Sequence, residues 1–464
     1  MSDGFAIQGF YSPLAGDDLP RVARAEGPYL WDEEGRRYID ASSGPIATNL
    51  GHGNTHVIET IAEQAARVAF ASRMSFVNTA NEDLARRLAT LSGPGFDRAY
   101  FTSGGSEAIE AAIKLARQAA VLRGQAGRWK VISRMPSYHG GTLGALSITG
   151  DEETLMVFEP MLTRARFVPA PFTYRIPEGY TPDGWQLAAA RRLEDAILRE
   201  GPDTCLAFIL EPVGGLATGA LVADDIYMRT VRDICTRHGI FLIYDEVMSG
   251  AGRTGKFLAA HHWPDAQPDL VVLAKGIGAG YTPLGVVLTP KDLVAEMADT
   301  GGFLHGHTYV ANPLTCATGL AVLNEVERLD LIENASVMGA YLDAMLHRLK
   351  DNSPIVGDVR GRGLLCTIEL VADKKTKRGF ALDVCITDRA TRIARRHGLI
   401  LYARRTNGGR DGEWLMIAPP LTITRAQIGE IEVALMRTLT DCVDELHRDG
   451  ILPVPSPIPA APAQ

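Results

Sequence analysis

The sequence is poor in cysteine and has no long apolar run. Its 464 residues include 6 cysteines without a C-x-x-C pair, so we expect neither a disulfide framework nor a cysteine zinc site. The 11 histidines show no zinc spacing, and we predict no metal site. The longest apolar runs, such as Cys205–Leu210, are much shorter than the ~20 residues that cross a bilayer, so we predict no membrane partner.

Basic residues do not outnumber acidic ones, which bears on the class of partner. There are 47 Lys+Arg against 55 Asp+Glu, the formal net charge is -8, and no long basic run is present. Proteins that bind nucleic acid by neutralising phosphates need a basic surface, so this class is disfavoured. Residues 1–5 lack the positive and apolar regions of a signal peptide. We therefore expect a cytoplasmic protein without a nucleic-acid partner.

Short apolar runs alternate with longer amphipathic stretches through the middle of the chain. Strands are predicted at residues 130–133, 205–210, 240–244, 270–274 and 284–288. Most of these runs are continuously apolar, as in parallel strands that are covered on both faces. The residues between them show helical spacing, for example at 106–121. The alternation predicts an α/β domain with a mostly parallel sheet.

The pattern changes near residue 320. Helical segments at 321–329 and 334–349 lead into alternating strand-like runs, which predict a second, smaller α+β domain. The first fifty or so residues resemble a hairpin that joins it. The predicted regions are 1–55 (N-terminal segment of the small domain), 56–325 (large cofactor-binding domain), 326–450 (C-terminal small domain) and 451–464 (proline-rich tail).

A glycine-rich turn directly precedes the helix predicted at 106–121. In this turn, Gly104 and Gly105 free the backbone to approach a ligand, and Ser106 is expected to cap the helix. The amides at a helix N-terminus attract anions, and a phosphate is the natural occupant. An ordinary capped helix start would show the same pattern, so this turn does not decide the matter alone.

Three polar or aromatic residues follow predicted strands, where ligands of open α/β sheets bind. Asp245 ends one strand and could meet a protonated ligand nitrogen, or it could belong to a solvated acidic pair with Glu246. Lys275 follows another strand, where burial would favour the neutral amine that attacks an aldehyde, although its side chain could equally extend into solvent. Tyr138, beside a glycine turn, could stack on a flat ring or simply belong to the core.

Together these features are more specific than any one of them. They supply an anion cradle, an aromatic face, an acid and an amine nucleophile within one α/β unit. Pyridoxal 5'-phosphate needs this set, because it carries a phosphate, a pyridine nitrogen, a flat ring and an aldehyde.

Several motifs resemble those of the class III pyridoxal-phosphate aminotransferases, the ω-transaminases. They are Phe241-Leu242-Ile243-Tyr244-Asp245-Glu246-Val247, Gly252-Arg253-Thr254-Gly255, Pro268-Asp269-Leu270, Lys275-Gly276 and Tyr281-Thr282-Pro283-Leu284-Gly285. The resemblance extends over residues 10 to 445. It implies a fold-type I transferase, with a mostly parallel, seven-stranded sheet in the large domain, that works as a homodimer or a tetramer of dimers. It also implies amino-group transfer from an amine or an ω- or β-amino acid to a keto acid such as pyruvate, by a ping-pong mechanism.

The resemblance assigns roles to residues of this chain. By this similarity, Lys275 is the Schiff-base lysine, Asp245 pairs with the pyridine nitrogen, and Val247 and Tyr138 cover the two ring faces. Gly105 and Ser106 match the phosphate-binding positions, Glu211 matches a glutamate that organises the pocket, and Thr308 matches a threonine that reaches the phosphate of the neighbouring subunit. Gly104, Ala251 and His307 depart from common family residues, which leaves the substrate open.

The carboxylate of a keto acid needs a cation. Members of this family often use an arginine before an Ala-Pro-Pro-Leu motif, which stands here at residues 418–421. We favour Arg404 for this role, and Arg405 and Arg410 remain alternatives, as does a surface loop of solvated arginines.

Two other functions remain open. An aminomutase, decarboxylase or phospholyase of the same family would share Lys275 and Asp245, although the residues around Lys275 look more like the transaminase branch. A nucleotide-binding protein would place a nucleotide phosphate on the Gly104–Gly105 turn. It should show a G-x-G-x-x-G or G-x-x-x-x-G-K-[ST] motif between a strand and a helix, and the sequence has neither in that setting.

Overall fold

A computed structural model of the chain describes residues 19–163 and 165–453. Residues 454–464, most of the predicted proline-rich tail, lie outside the described residues, as do residues 1–18 of the predicted N-terminal segment. The described residues form fifteen strands and thirteen α-helices, together with several short 3-10 helices.

The strands are β1 (Val22–Glu26), β2 (Tyr29–Asp32), β3 (Arg37–Asp40), β4 (Arg98–Thr102), β5 (Lys130–Met135), β6 (Arg166–Pro169), β7 (Cys205–Leu210), β8 (Phe241–Asp245), β9 (Leu270–Leu273), β10 (Gly285–Thr289), β11 (Val356–Arg362), β12 (Leu365–Leu370), β13 (Leu399–Ile400), β14 (Tyr402–Thr406) and β15 (Gly412–Ile417). The α-helices are α1 (Ser43–Ile46), α2 (Thr55–Arg67), α3 (Thr79–Ser92), α4 (Gly105–Leu122), α5 (Leu143–Ser147), α6 (Glu152–Phe158), α7 (Pro182–Glu200), α8 (Asp225–His238), α9 (Lys291–Ala298), α10 (Pro313–Arg328), α11 (Leu331–Asn352), α12 (Ile386–Arg396) and α13 (Arg425–Arg448).

A seven-stranded sheet forms the centre of the structure, in the order β4-β10-β9-β8-β7-β5-β6. Strands β9, β8, β7, β5 and β6 are parallel, and β10 is antiparallel to β4 and β9. Every residue of β7 and β9 is buried, which explains why these strands are continuously apolar in the sequence. The predicted α/β fold with a mostly parallel sheet is therefore confirmed.

All five predicted strands exist, but two further strands of this sheet were not predicted. They are β4 and β6, which form its two outer edges. Each begins with an exposed arginine, Arg98 or Arg166, and is only partly buried. An edge strand is covered less completely than a central one, so its apolar signal is weaker.

Two four-stranded sheets complete the fold. Strands β11, β12, β15 and β14 form an antiparallel sheet. In the other sheet, β1, β2 and β3 form an antiparallel meander, and β3 pairs in parallel with β13 through Ile39 and Leu399. The N-terminal strands are thus hydrogen-bonded to a segment more than three hundred residues further along the chain. A single apolar core contains both of these residues together with Leu349 and Leu415.

The helices agree with the predicted positions, with one shift in boundary. Helix α4 covers the predicted segment 106–121 and packs on β9 and β10. Helix α10 begins eight residues before the predicted start at 321. Asn312 caps it by accepting a hydrogen bond from the Leu314 amide, and Pro313 occupies its first turn. None of the helices in the described part of the chain is both long and apolar enough to cross a membrane.

Candidate active site

A cavity of about 550 Å³ lies at the carboxyl ends of the central strands, where the sequence predicted a site. Eight of the nine predicted site residues line it, namely Gly105, Ser106, Tyr138, Glu211, Asp245, Val247, Lys275 and Arg404. Thr308, the ninth, does not line the cavity of its own chain. These residues are far apart in sequence and meet because the parallel strands end at the same edge of the sheet.

Lys275 lies just beyond β9 and begins a single 3-10 turn, Lys275–Ile277. Its φ of 44° is in the left-handed region, which is uncommon for a residue with a side chain. Burial lowers the pKa of Lys275 to about 8, and the negative charges of Asp245 and Glu211 oppose that shift. The amine is therefore partly neutral near physiological pH and can act as a nucleophile or a base.

Asp245 is the last residue of β8 and is 5% exposed. Its Oδ2 lies 2.8 Å from Nδ1 of His139, and its Oδ1 accepts a hydrogen bond from the Val247 amide at 3.0 Å. A carboxylate only accepts hydrogen bonds, so Nδ1 of His139 carries the proton. This arrangement fixes the carboxylate at the cavity wall and rules out the solvated acidic pair that the sequence left open.

Glu246, the neighbour of Asp245, has a structural role. Its carboxylate accepts hydrogen bonds from the amides of Ala259 and Ala260, at the start of a short 3-10 helix. Burial raises the pKa of Glu246 to about 8. Because Glu246 does not line the cavity, the two adjacent carboxylates have separate functions.

Glu211 joins two loops that form the cavity wall. Its Oε1 accepts a hydrogen bond from the Gly215 amide at 2.9 Å, and its Oε2 accepts one from the Tyr138 amide at 3.4 Å. The residue is 5% exposed, and burial raises the pKa of its carboxyl group. Tyr138 is 49% exposed and extends into the cavity, so it is not an ordinary core aromatic.

The N-terminus of α4 opens into the cavity. The sequence predicted that Ser106 caps this helix, and that prediction is wrong. The N-cap is Gly104, which provides no side-chain cap, and Ser106 Oγ instead accepts a hydrogen bond from the Gly141 amide at 3.1 Å. A Cβ atom at Gly105 would lie 3.1 Å from Val247 Cγ1, so a glycine here lets the helix approach Val247 closely. The uncapped amides suit an anion.

Only one of the three candidate arginines lines the cavity. Strand β14 directs Tyr402 and Arg404 toward it, because side chains two residues apart share a face of a strand. Arg405 donates a hydrogen bond to the Leu382 carbonyl, and Arg410 pairs with Glu152. Arg404 itself forms an ion pair with a carboxylate that the sequence did not indicate, Asp151.

Thr308 lies in an exposed turn beside an exposed apolar surface. Met74, Phe76 and Val77 are 81%, 68% and 79% exposed, and Tyr309 is 62% exposed. We call residues 70–77 with Tyr309 the apolar patch; its two segments meet where the rings of Phe70 and Tyr309 pack edge to face, with centroids 6.0 Å apart.

Sequence reasoning missed His139 and Asp151. His139 stands beside Tyr138, which was singled out, whereas no feature near Asp151 was. The partners of both are far away in sequence: His139 is 106 residues from Asp245, and Asp151 is 253 residues from Arg404. No local pattern could reveal such contacts. Within the described residues, no group of three or more His, Cys, Asp or Glu is placed to hold a metal ion.

The architecture is that of the fold-type I transferases, the fold of the ω-transaminases. Residues 14–439 match the family model described as aminotransferase class-III. The chain belongs to the class III aminotransferases, and it is an enzyme of that class.

Known proteins similar to this chain agree with the family. An uncharacterized aminotransferase of Schizosaccharomyces pombe is 38% identical, over 92% of this chain and 94% of that protein. A thermostable (S)-enantioselective omega-transaminase from Thermomicrobium roseum is also 38% identical, with a TM-score of 0.86 over 92% of this chain and 94% of that one. An omega-transaminase from Pseudomonas jessenii, solved in complex with PMP, is 30% identical, with a TM-score of 0.87 over the same shares. The family implies pyridoxal phosphate as the cofactor.

The pKa of Lys275 leads to a pH-dependence prediction for the cofactor-free protein. Reductive methylation of Lys275, followed by peptide mass spectrometry, should show a pH midpoint of about 8 instead of 10.5, the ordinary value for lysine. Because the charge of Asp245 raises this pKa, Asp245→Asn should move the midpoint lower. The unfolded chain binds more protons than the folded one between these two values, so this group makes folding more favourable as pH rises from about 8 to 10.5. A midpoint near 10.5 would contradict the burial argument.

Proposed function

We propose that the protein is an ω-transaminase that uses pyridoxal 5'-phosphate. It transfers an amino group from an amine or an ω- or β-amino acid to a keto acid such as pyruvate, in two successive half-reactions. The donor amine becomes a ketone or aldehyde, and the keto acid becomes an amino acid. The observation that carries this proposal is the juxtaposition in one cavity of Lys275, Asp245 and the uncapped N-terminus of α4.

The residues present fit the cofactor. The amides of Gly105 and Ser106 would hold the phosphate, since the helix end carries partial positive charge and no side chain caps it. Asp245 would face the pyridine nitrogen, and Tyr138 and Val247 would cover the ring. Pyridoxal phosphate, when bound, supplies an electron-accepting ring that stabilises negative charge on the substrate carbon.

Lys275 is the acid and base of the proposed mechanism. With a pKa of about 8, its amine accepts a proton from the substrate carbon and returns one without a large energetic penalty near neutral pH. Asp245 would face the pyridine nitrogen, where its negative charge would hold a proton. The hydrogen bond from His139 keeps that carboxylate in place.

The active site is proposed to be completed by a second copy of the chain. The apolar patch is too exposed for a surface that remains in water, because exposed apolar patches of this kind mark association sites. Thr308 lies beside it, outside its own chain's cavity. A homodimer formed through the patch, or a tetramer of such dimers, would bring Thr308 to the phosphate in the partner's cavity. The apolar patch lies within the large domain proposed at 56–325, and residues 326–450 would form the C-terminal small domain.

Replacement of the proposed catalytic lysine tests the function. Lys275→Ala should reduce amino transfer about 10²–10⁴-fold, because no other lysine of the described residues lines the cavity to move the proton. The measurement is a screen of amines, diamines and ω-amino acids against pyruvate and 2-oxoglutarate. Lys291→Ala, at an exposed position at the start of α9, is the matched control and should retain full turnover. Full turnover by Lys275→Ala would refute the mechanism. Donor conversion without consumption of a keto acid would instead indicate an aminomutase, decarboxylase or phospholyase.

The proposed carboxylate site is tested on strand β14. Arg404→Ala should raise KM for pyruvate about 10- to 100-fold, the effect of losing a charged hydrogen bond, and leave KM for the uncharged acceptor propanal unchanged. Arg405→Ala removes the neighbouring arginine, which points away from the cavity, and should change neither value. An unchanged KM for pyruvate in Arg404→Ala would exclude this residue as the carboxylate ligand.

A charge placed in the apolar patch tests the proposed assembly. Met74→Glu should shift the protein toward monomers in analytical ultracentrifugation and lower its activity, because a buried carboxylate opposes association. Val337→Glu is the control, since it adds the same charge at a side chain that is 51% exposed on α11, outside the patch. A Met74→Glu protein that sediments like the unaltered chain would show that the patch is not the interface.

A further inference from the structure

The proposed reaction does not explain why Arg404 forms an ion pair with Asp151. Arg404 Nη2 contacts Asp151 Oδ2, and the two side chains are 28% and 5% exposed. Arg404 lines the cavity, whereas Asp151 does not. The buried carboxylate therefore contacts the guanidinium group without lining the cavity itself.

Arg404 is the only side-chain partner of the Asp151 carboxylate among the described residues. Asp151 occupies the N-cap position of α6, where an aspartate commonly accepts a hydrogen bond from a helix amide, yet it makes no side-chain cap. Its second oxygen, Oδ1, is buried without a hydrogen-bond partner among the described residues, and so is Nε of Arg404. The two groups therefore form a single hydrogen-bonded contact instead of the bidentate pair, with two parallel hydrogen bonds, that arginine and carboxylate often form.

The backbones that carry the pair are fixed by other contacts. The Glu152 amide donates a hydrogen bond to Asn407 Oδ1 at 3.0 Å, and the Gly408 amide donates one to Glu153 Oε1 at 3.0 Å. These bonds join the start of α6 to the turn that follows β14. Removal of the charge on Asp151 should therefore change the electrostatics of Arg404 and leave the position of its strand unchanged.

We infer that Asp151 determines specificity as the internal counter-ion of Arg404, weakening the binding of substrate carboxylates so that the same cavity also accepts uncharged substrates. This inference rests on the proposed function, in which Arg404 faces the substrate carboxylate. Without Asp151 the guanidinium presents a full positive charge to an anion; with it, the pair is neutral, and the entering carboxylate is also repelled. When an uncharged substrate is bound, Asp151 keeps the arginine from being an unpaired charge in a closed cavity.

The test is Asp151→Asn in the holoenzyme, with a saturating amine donor and either pyruvate or propanal as acceptor. The ratio of kcat/KM for pyruvate to kcat/KM for propanal should rise about tenfold, through a lower KM for pyruvate. Glu152→Gln is the matched control, because it makes the same change of charge at the next residue, whose partner Arg410 lies outside the cavity. It should leave the ratio unchanged. A ratio that is unchanged or lower in Asp151→Asn overturns the inference.

A binding measurement separates this inference from the proposed function. Titration calorimetry of the holoenzyme should show propanoate binding about tenfold more tightly to Asp151→Asn than to the unaltered protein, with no such gain for propanamide. Asp151→Ser serves the same purpose if the asparagine variant does not fold. If Arg404→Ala does not weaken the binding of pyruvate, Arg404 does not bind the substrate carboxylate. If Arg404→Ala weakens the binding of pyruvate but Asp151→Asn does not tighten the binding of propanoate, only the counter-ion role is wrong.

Discussion

The site depends on two opposite charges buried at neighbouring strand ends. Strands β8 and β9 are parallel neighbours, so Asp245 at the end of β8 and Lys275 just beyond β9 reach the same edge of the sheet. Burial alone would make the amine of Lys275 a weaker base, and the charge of Asp245 limits that effect. The result is a pKa of about 8, near which a group both accepts and donates protons effectively in neutral solution.

The surrounding contacts hold this pair without neutralising it. His139 bonds to one oxygen of Asp245, and the Val247 amide bonds to the other, so both oxygens of the carboxylate are held by other groups. Glu211 fixes the loops of Tyr138 and Gly215 through their amides. Two of these hydrogen bonds, from His139 to Asp245 and from the Tyr138 amide to Glu211, join segments that are distant in sequence. Together the four bonds hold the side chains of the site in fixed positions.

The features that could be predicted from the sequence are those that leave a local pattern of residues. Central strands such as β7 could be predicted because complete burial demands a continuous apolar run, whereas the edge strands β4 and β6 carry no such demand. Lys275 and Asp245 stood out because a charged residue at the end of an apolar strand is unusual, whereas their roles were assigned by the family resemblance. The partners His139 and Asp151 could not, since each contact joins segments more than a hundred residues apart. No local pattern of residues indicates contacts between segments so far apart.

The charge of the whole chain, -8, does not indicate the charge of a substrate. Two cations line the cavity, and a carboxylate interacts with each of them: Asp245 with Lys275 and Asp151 with Arg404. Each carboxylate offsets part of the positive charge of its cation, so neither cation acts on a substrate with its full charge. A transaminase must admit an amine in one half-reaction and a keto acid in the other. A wall whose cations are partly offset serves both, because the charge that one substrate needs does not exclude the other.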